Sequence, residues 1–126
     1  SKMKTIMMDC VGMFRTGEGM QSALETVRDL RERYKHIPLH DHGKIFNTEL
    51  INIWELGNLL EIAELTTICA LARTESRGAH ARDDYPKRDD VNWLKHSLAW
   101  VKSNGEIELR YKPVVITKFQ PKERVY

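Results

Sequence analysis

The apolar residues of the first third of the chain recur at the spacing of α-helices. One stripe runs along a first helix and comprises Met3, Ile6, Met7, Cys10, Val11 and Phe14. Thr16 is a suitable N-cap for a second helix, whose stripe comprises Met20, Leu24, Val27, Leu30 and Tyr34. The first helix begins within the opening residues and leaves no room for a cap. We therefore expect the chain to be a fragment cut at a domain boundary.

The third predicted helix, over Leu50–Ala72, is apolar on nearly every face. Asn47 can cap it, and Phe46 and Ile51 stand at the spacing of a hydrophobic staple. Gly78 is placed to supply a left-handed C-cap. A helix with water along one side carries a polar face, which this segment lacks. We therefore expect the C-terminal tail or another domain to cover what the first two helices leave bare.

The last third of the chain shows the alternation typical of strands. Leu98 and Trp100 alternate before a turn at positions 103–106, and the alternation resumes at Ile107. Asn-Gly between alternating runs indicates a β-hairpin. A further short strand is predicted at 114–116, followed by a basic, extended end at 121–126. Because an isolated hairpin is marginally stable in water, we expect it to lie against the helices or a partner.

Together these patterns predict a mainly α fold in a single domain spanning residues 1–126. Its parts are a three-helix antiparallel bundle over 1–75, a long charged loop over 76–97, and a β-hairpin with an extended C-terminal tail over 98–126. The composition, 30% charged and 41% hydrophobic residues, is that of a globular protein.

Charge and cysteine usage narrow the classes of function. The net charge is +2 and no basic stripe carries interleaved aromatic residues, so we expect no nucleic-acid partner. Cys10 and Cys69 lie far apart in apolar patterns, which is typical of buried thiols. No stretch approaches the roughly 20 apolar residues of a membrane span, so a soluble chain is expected. His36, His40 and His42 share one loop, but no acid or cysteine completes a recognisable set of metal ligands.

The most charge-dense stretch is Glu75–Asp90. Besides Glu75, its sixteen residues include four acids, four bases and a histidine. Plain connectors are usually about 4–6 residues long. One interpretation is an acid–base or dicarboxylate-binding site, since arginine forks suit carboxylates. The other is a loop of interlocked ion pairs that fixes a domain interface, and the absence of a nucleophile motif or phosphate loop favours it.

Longer motifs add a resemblance. The run Glu75–Pro86 (ESRGAHARDDYP) and the run Arg88–His96 (RDDVNWLKH) resemble the C-terminal region of the flavoprotein subunit of succinate dehydrogenase and fumarate reductase. Shorter stretches that agree are Gly12–Thr16, Phe46–Leu50, Tyr111–Val114 and Pro121–Tyr126. The resemblance covers essentially the whole chain. It implies a helical bundle with an extended tail, as the periodicity also predicts.

The resemblance implies that the chemistry resides elsewhere. In this family FAD is attached through a histidine to an N-terminal domain, and a capping domain supplies the proton-delivering arginine and the dicarboxylate ligands. The chain lacks the glycine fingerprint of a dinucleotide site. We therefore expect FAD in the full-length subunit, but no cofactor, metal or catalytic residue in this chain, and no activity of the chain alone.

The partners implied by the resemblance are the flavin-binding and capping domains of the same subunit, the iron–sulfur subunit and, indirectly, the membrane-anchor subunits. The implied location is peripheral, on the cytoplasmic side of the inner membrane, within a membrane-bound complex. The charged stretch is then expected to lock the bundle onto the flavin domain. The candidate interface and assembly residues are Arg73, Glu75, Arg77, Gly78, His80, Arg82, Asp84, Tyr85, Arg88 and Asp89.

Two alternatives remain open. An L-aspartate oxidase-like flavoprotein shares an Arg-Gly-x-His-type segment after its long helix and acts without an iron–sulfur subunit. A free-standing helical adaptor would bind acidic partners through the charged loop. Whether a flavin domain is encoded directly upstream of Ser1 would distinguish a flavoprotein subunit from a free-standing adaptor.

Overall fold

The computed structural model describes residues 1–122. They contain three helices and two short strand pairs. The helices are α1 (Lys2–Val11), α2 (Gly17–Tyr34) and α3 (Thr48–Ala72). The strands are β1 (Phe14–Arg15), β2 (Ala81–Arg82), β3 (Lys95–Val101) and β4 (Ile107–Pro113). The prediction of a mainly α fold is confirmed. The chain divides into two compact units, Ser1–Arg88 and Asp89–Tyr126, which are described separately.

Helix α1 is shorter than its apolar stripe predicts. It ends at Val11, and Gly12 follows with φ −73° and ψ −136°. A Cβ on Gly12 would lie 2.3 Å from the carbonyl oxygen of Met8, so the chain leaves the helix at a position where a side chain does not fit. Phe14 therefore lies in β1 and is 70% exposed. The prediction that Phe14 extends the helical face is wrong.

Helix α2 packs against both other helices. Its predicted cap is confirmed, because the Thr16 hydroxyl accepts a hydrogen bond of 3.1 Å from the Gly19 N–H. A buried cluster at the α1 end of the unit comprises Val11, Met20, Ala23 and Ala70. Cys10 packs against this cluster, and Cys10 and Cys69 are both free and half-buried.

A buried carboxylate joins α2 to α3. Glu64 on α3 is 5% exposed as a whole residue. Its Oε1 accepts a 3.0 Å hydrogen bond from Arg28 Nε, and its Oε2 binds Arg31. Both arginines lie on α2, one turn apart. A buried charge is tolerated only when it is paired in this way, so this contact fixes how the two helices align.

The start of α3 is held by its predicted cap but not by the predicted staple. The Asn47 side-chain oxygen accepts from the Leu50 N–H at 3.0 Å, and its amide donates to the carbonyls of Asp41 and Gly43. Phe46 adopts a positive φ of 52° and is 94% exposed. This backbone turns the Phe46 ring into solvent, so the staple to Ile51 does not form.

The other helices cover α3 only in part, as predicted from its apolar circumference. Leu60, Ala63 and Ala70 are buried. Four large apolar side chains of the same helix remain exposed, namely Ile51, Trp54, Leu59 and Ile62. Within residues 1–122, no helix is long and apolar enough to cross a membrane.

The second unit is built on the predicted hairpin. Strands β3 and β4 pair antiparallel, with Lys95 opposite Pro113 and Val101 opposite Ile107. Gly105, with φ 85°, forms the turn. The strand predicted at 114–116 is absent, because the ladder ends at Pro113. Of the predicted extended end, residues 123–126 lie outside the described part of the chain.

Gly57 is predicted to permit the close packing of Tyr34 of α2 against α3. A Cβ at this position would lie 2.6 Å from the hydroxyl and 2.7 Å from the adjoining ring carbon of Tyr34. Overpacking of this kind costs about 1–3 kcal/mol, whereas alanine gains only about 1 kcal/mol of helix propensity over glycine. Gly57→Ala should therefore lower the free energy of unfolding measured by urea denaturation.

The double variant Tyr34→Ala/Gly57→Ala provides the control. Once the ring is removed, the propensity gain should remain and Gly57→Ala should be neutral or stabilising. If Gly57→Ala destabilised both backgrounds equally, the clash with Tyr34 would not be its cause.

Candidate functional site

Hydrogen bonds to backbone groups fold the charged segment, defined as residues 73–89, into tight turns. Ser76 organises it: its hydroxyl accepts from the Arg82 N–H at 2.8 Å and donates to the Tyr85 carbonyl at 2.7 Å. The Ser76 N–H donates to the Lys87 carbonyl at 3.1 Å. One serine thus holds three positions of the segment together, and the surrounding charged side chains acquire fixed directions.

A two-residue turn shapes the tip of the segment. Arg77 and His80 exchange both backbone hydrogen bonds, at 2.8 and 3.0 Å, around Gly78 and Ala79. Gly78 has φ 59°, which suits the first central position of a type II′ turn and which other residues rarely adopt. The prediction that Gly78 is the C-cap of α3 is wrong, since that cap is Arg73 in an extended conformation.

Glu75 lies at the centre of the segment and is fully buried. Its Oε1 accepts from Arg73 Nη1 at 2.6 Å and from Arg77 Nε at 2.8 Å, while Arg77 Nη2 donates to Oε2 at 3.0 Å. Two cations therefore offset the burial of one anion. Among the described residues, no buried side-chain nitrogen or oxygen lacks a hydrogen-bond partner.

Arg82 connects the segment to the end of α3. Its side chain is 3% exposed, and its Nη1 donates to the carbonyls of Leu71 and Arg73 at 2.8 and 3.1 Å. These carbonyls belong to the C-terminal end of the helix, where the backbone leaves acceptors without helical partners. A cation at this end is also favoured by the helix dipole.

Asp84 carries the connection on to α2. It receives two parallel hydrogen bonds from Arg82, at 2.9 and 2.6 Å, and a third of 2.9 Å from the Gly17 N–H in the first turn of α2. The hydrogen bonds from Arg82, followed by that from the Gly17 backbone, lower the pKa of the Asp84 carboxyl to about 2. Arg82 and Asp84 thus place a cation at the end of one helix and an anion at the start of the next.

His80 forms a second connection to the start of α2. Strand β2 pairs parallel with β1, and His80 Nδ1 lies 2.8 Å from Arg15 Nη1 while Nε2 lies 3.1 Å from the Arg73 carbonyl. Because arginine can only donate, Nδ1 accepts and Nε2 carries the proton, so the ring is neutral. Burial, reinforced by the charges of Arg15, Arg82 and Arg73, lowers the pKa of His80, although its hydrogen bond to the Arg73 carbonyl opposes this.

Of the remaining candidates, Tyr85 and Arg88 belong to the first unit. The Tyr85 ring is 4.8 Å from the Arg82 guanidinium and the residue is 45% exposed. Arg88 is half-buried at the end of the first unit. Asp89 belongs to the second unit, where its carboxylate accepts from the backbone N–H groups of Val91 and Asn92. The structure therefore brings together the candidates from Arg73 to Tyr85 and leaves Asp89 outside their unit.

This arrangement favours the ion-pair interpretation over an acid–base site. Glu75, His80, Arg82 and Asp84 each use their polar atoms on neighbouring side chains or helix ends. Among residues 1–122, no group of three or more histidines, cysteines or acids has the geometry of a metal site, and this includes the histidine loop between α2 and α3.

The sequence did not single out Arg15, Gly17 or Ser76 as members of the site. Arg15 meets His80 across 65 positions and Gly17 meets Asp84 across 67, so no local pattern joins them. The available signal was the stretch Gly12–Thr16, which carries part of the family resemblance and directly precedes α2, whose Gly17 N–H donates to Asp84.

Comparison with known proteins identifies the family. Residues 1–126 match the family described as "Fumarate reductase flavoprotein C-term". The chain is 46% identical over 125 residues to the fumarate reductase flavoprotein subunit of Haemophilus influenzae, covering 99% of the chain and 21% of that protein. It is 41% identical over 132 residues to the succinate dehydrogenase flavoprotein subunit of Rickettsia bellii, covering 99% of the chain and 22% of that protein.

The fold agrees with this assignment. The structure of a variant of E. coli quinol fumarate reductase superposes with a TM-score of 0.92 and 42% sequence identity, covering 97% of this chain and 21% of that one. The chain belongs to the family of C-terminal regions of fumarate reductase and succinate dehydrogenase flavoproteins. It spans about a fifth of the length of these relatives.

Glu75 is predicted to be the most sensitive position of the segment. Glu75→Gln removes the charge of the buried carboxylate to which Arg73 and Arg77 donate. Loss of one partner of a buried pair typically costs about 3–5 kcal/mol. Thermal unfolding should show a large drop in midpoint. Glu108→Gln, which removes the acidic partner of the exposed Arg110, is the matched control and should leave the midpoint unchanged. Equal midpoints for both variants would contradict a stabilising role of Glu75.

His80 is predicted to make the unit sensitive to mild acid. Since the fold lowers its pKa, the unfolded chain binds the proton first as the pH falls below the ordinary value of 6.5. The stabilisation is complete above that pH and is lost as the pH falls towards the lowered folded-state pKa. Urea unfolding at a series of pH values should show this loss, and His80→Gln, which cannot protonate, should reduce it. An identical pH dependence in the variant would refute the assignment.

Proposed function

We propose that the chain is the C-terminal domain of a flavoprotein subunit that interconverts succinate and fumarate. The observation that carries this proposal is the family match along the whole chain, with relatives named as fumarate reductase and succinate dehydrogenase flavoprotein subunits. In the full-length subunit FAD would supply the redox chemistry, and an iron–sulfur subunit and quinone would be its electron-transfer partners. The domain itself has no activity alone and serves assembly.

The proposed role of the charged segment is to join this domain to the flavin-binding and capping domains. Its internal ion pairs support this role, because they hold the turn tip rigidly before any partner arrives. Arg82 and His80 are engaged within the chain, so the surface offered to a neighbouring domain is the exposed edge at Gly78, Ala79 and Tyr85. Arg77, with a side chain 27% exposed, lies at that edge.

The finer architecture follows from the same proposal. The three helices form an antiparallel bundle that precedes the charged segment in the chain, and the hairpin follows that segment in the sequence. The subunit would be a peripheral part of a membrane-bound complex on the cytoplasmic side of the inner membrane. The similar structures of a quinol fumarate reductase variant and of a quinol-fumarate reductase with menaquinol molecules support membership of such a complex.

The two rival functions are less well supported. An L-aspartate oxidase-like subunit would need no iron–sulfur partner, whereas the relatives reported above bear the names of fumarate reductases and succinate dehydrogenases. A free-standing adaptor would offer its charged side chains to acidic partners. In the structure those of Arg73, Arg77 and Arg82 bind acids of the chain itself.

The proposed contact between the turn tip (Gly78 and Ala79) and the flavin-binding part is tested by introducing a larger side chain at the turn tip of the full-length subunit. Ala79→Arg places a long side chain on an exposed position without removing any hydrogen bond of the segment. If the tip lies against the flavin-binding part, the variant should retain several-fold less FAD after purification, or associate less with the iron–sulfur subunit. Flavin absorbance and co-purification measure the two effects.

Ser103→Arg is the matched control, since it adds the same side chain at the exposed turn between β3 and β4. It should retain the flavin content of the unmodified subunit. Normal FAD content and normal association in Ala79→Arg would rule out the turn tip as part of the joint. A full-length subunit that never carries FAD would refute the proposed function as a whole.

A further inference from the structure

Two attachments join the charged segment to the start of α2, and they differ in chemistry. The carboxylate of Asp84 accepts a 2.9 Å hydrogen bond from the Gly17 N–H. The ring of His80 meets the guanidinium of Arg15, with 2.8 Å between Nδ1 and Nη1. One attachment therefore depends on a carboxylate and the other on an imidazole, and these two groups change charge in different ranges of pH.

The attachment through Asp84 is insensitive to mild acid. Arg82 donates two hydrogen bonds to this carboxylate, at 2.9 and 2.6 Å. These bonds, followed by the one from the Gly17 backbone, lower the pKa of Asp84 to about 2. The carboxylate therefore keeps its charge and its hydrogen bonds at every pH in which histidine titrates.

The attachment through His80 requires a neutral ring. The hydrogen bond from Nε2 to the Arg73 carbonyl, at 3.1 Å, survives protonation of the ring. The contact with Arg15 does not, because a protonated Nδ1 would turn its N–H against the N–H of a guanidinium that can only donate. The charged groups that act on the ring are Arg15 on β1, Arg82 on β2 and Arg73 after α3. All three are cations, so a positive ring is repelled from each of these elements.

The pairing of β1 with β2 is too short to persist without this contact. Each strand has two residues, with Phe14 opposite Ala81 and Arg15 opposite Arg82. The Asp83 N–H adds one hydrogen bond of 2.8 Å to the Arg15 carbonyl. Isolated strand pairs are marginally stable in water. Loss of the contact between His80 and Arg15 should therefore open the pair.

We propose that His80 is a pH-sensitive switch: when its ring is protonated, β1 and β2 separate while the charged segment stays attached to α2 through Asp84. Arg82 continues to hold the segment at the end of α3, since its own hydrogen bonds do not involve the imidazole. Mild acid thereby loosens the turn tip beside His80 without unfolding α2 or α3. The switch is built into this domain and does not depend on the proposed function.

Hydrogen–deuterium exchange of the full-length protein, measured by mass spectrometry, locates the opening. Rates are corrected for the intrinsic pH dependence of amide exchange. Peptides that contain the Asp83 amide should then exchange several-fold faster at pH 5.5 than at pH 7.5. The limit is about tenfold, because pH 5.5 lies one unit below the ordinary histidine pKa of 6.5. Peptides from the middle of α2, residues 23–30, should show no such acceleration.

His80→Gln is the matched variant. Its amide can accept from Arg15 and donate to the Arg73 carbonyl, as the neutral ring does, but it does not titrate. The slow exchange of the Asp83 amide should therefore persist at pH 5.5. Arg15→Gln is a second test that leaves His80 in place. Its amide can donate to the neutral ring and accept from the protonated one, so most of the acceleration in acid should disappear.

Three results would overturn the switch. The first is an unchanged exchange rate of the Asp83 amide between pH 7.5 and pH 5.5. The second is an equal acceleration in the middle of α2, since the whole unit would then open and not the strand pair. The third is an acceleration in His80→Gln, or in Arg15→Gln, as large as in the unmodified protein, because another group would then be the one that titrates.

Discussion

The first unit depends on the need to satisfy one buried cation. Arg82 lies almost wholly out of solvent, and an unpaired guanidinium there would be prohibitively unfavourable. Its donors reach the last carbonyls of α3 and the carboxylate of Asp84, and Asp84 in turn reaches the first turn of α2. The position of one helix end therefore determines the position of the other. The β1–β2 pair and the contact between His80 and Arg15 follow from the same juxtaposition.

The features that the sequence predicted correctly depend on residues close together in the chain. Local rules sufficed for the caps at Thr16 and Asn47 and for the turn between β3 and β4, since each depends on residues within a few positions. They failed where distant chain segments meet. Phe14 fits the stripe of α1 but is drawn into β1 by its pairing with Ala81, and Gly78 suits a helix cap but closes a turn instead.

The unusual charge density of the charged segment was evident from the sequence. The pairing of its acids with its bases was not. Charge density indicated ion pairs, but which acid meets which base depends on tertiary placement. Glu75 turned out to be fully buried between Arg73 and Arg77, a position that no propensity scale assigns to glutamate. The segment is thus mostly occupied with its own structure, and the surface it offers outward is narrow.

The long sequence separation between Gly17 and Asp84 also has a kinetic consequence. Gly17 and Asp84 are 67 positions apart, so their contact closes a large loop, and we expect it to form late in folding. Interactions that form after the rate-limiting step stabilise the native state without accelerating folding. The hydrogen bond between Gly17 and Asp84 should therefore slow unfolding more than it accelerates folding. An assembled domain then keeps the ends of its helices together for longer than its equilibrium stability alone implies.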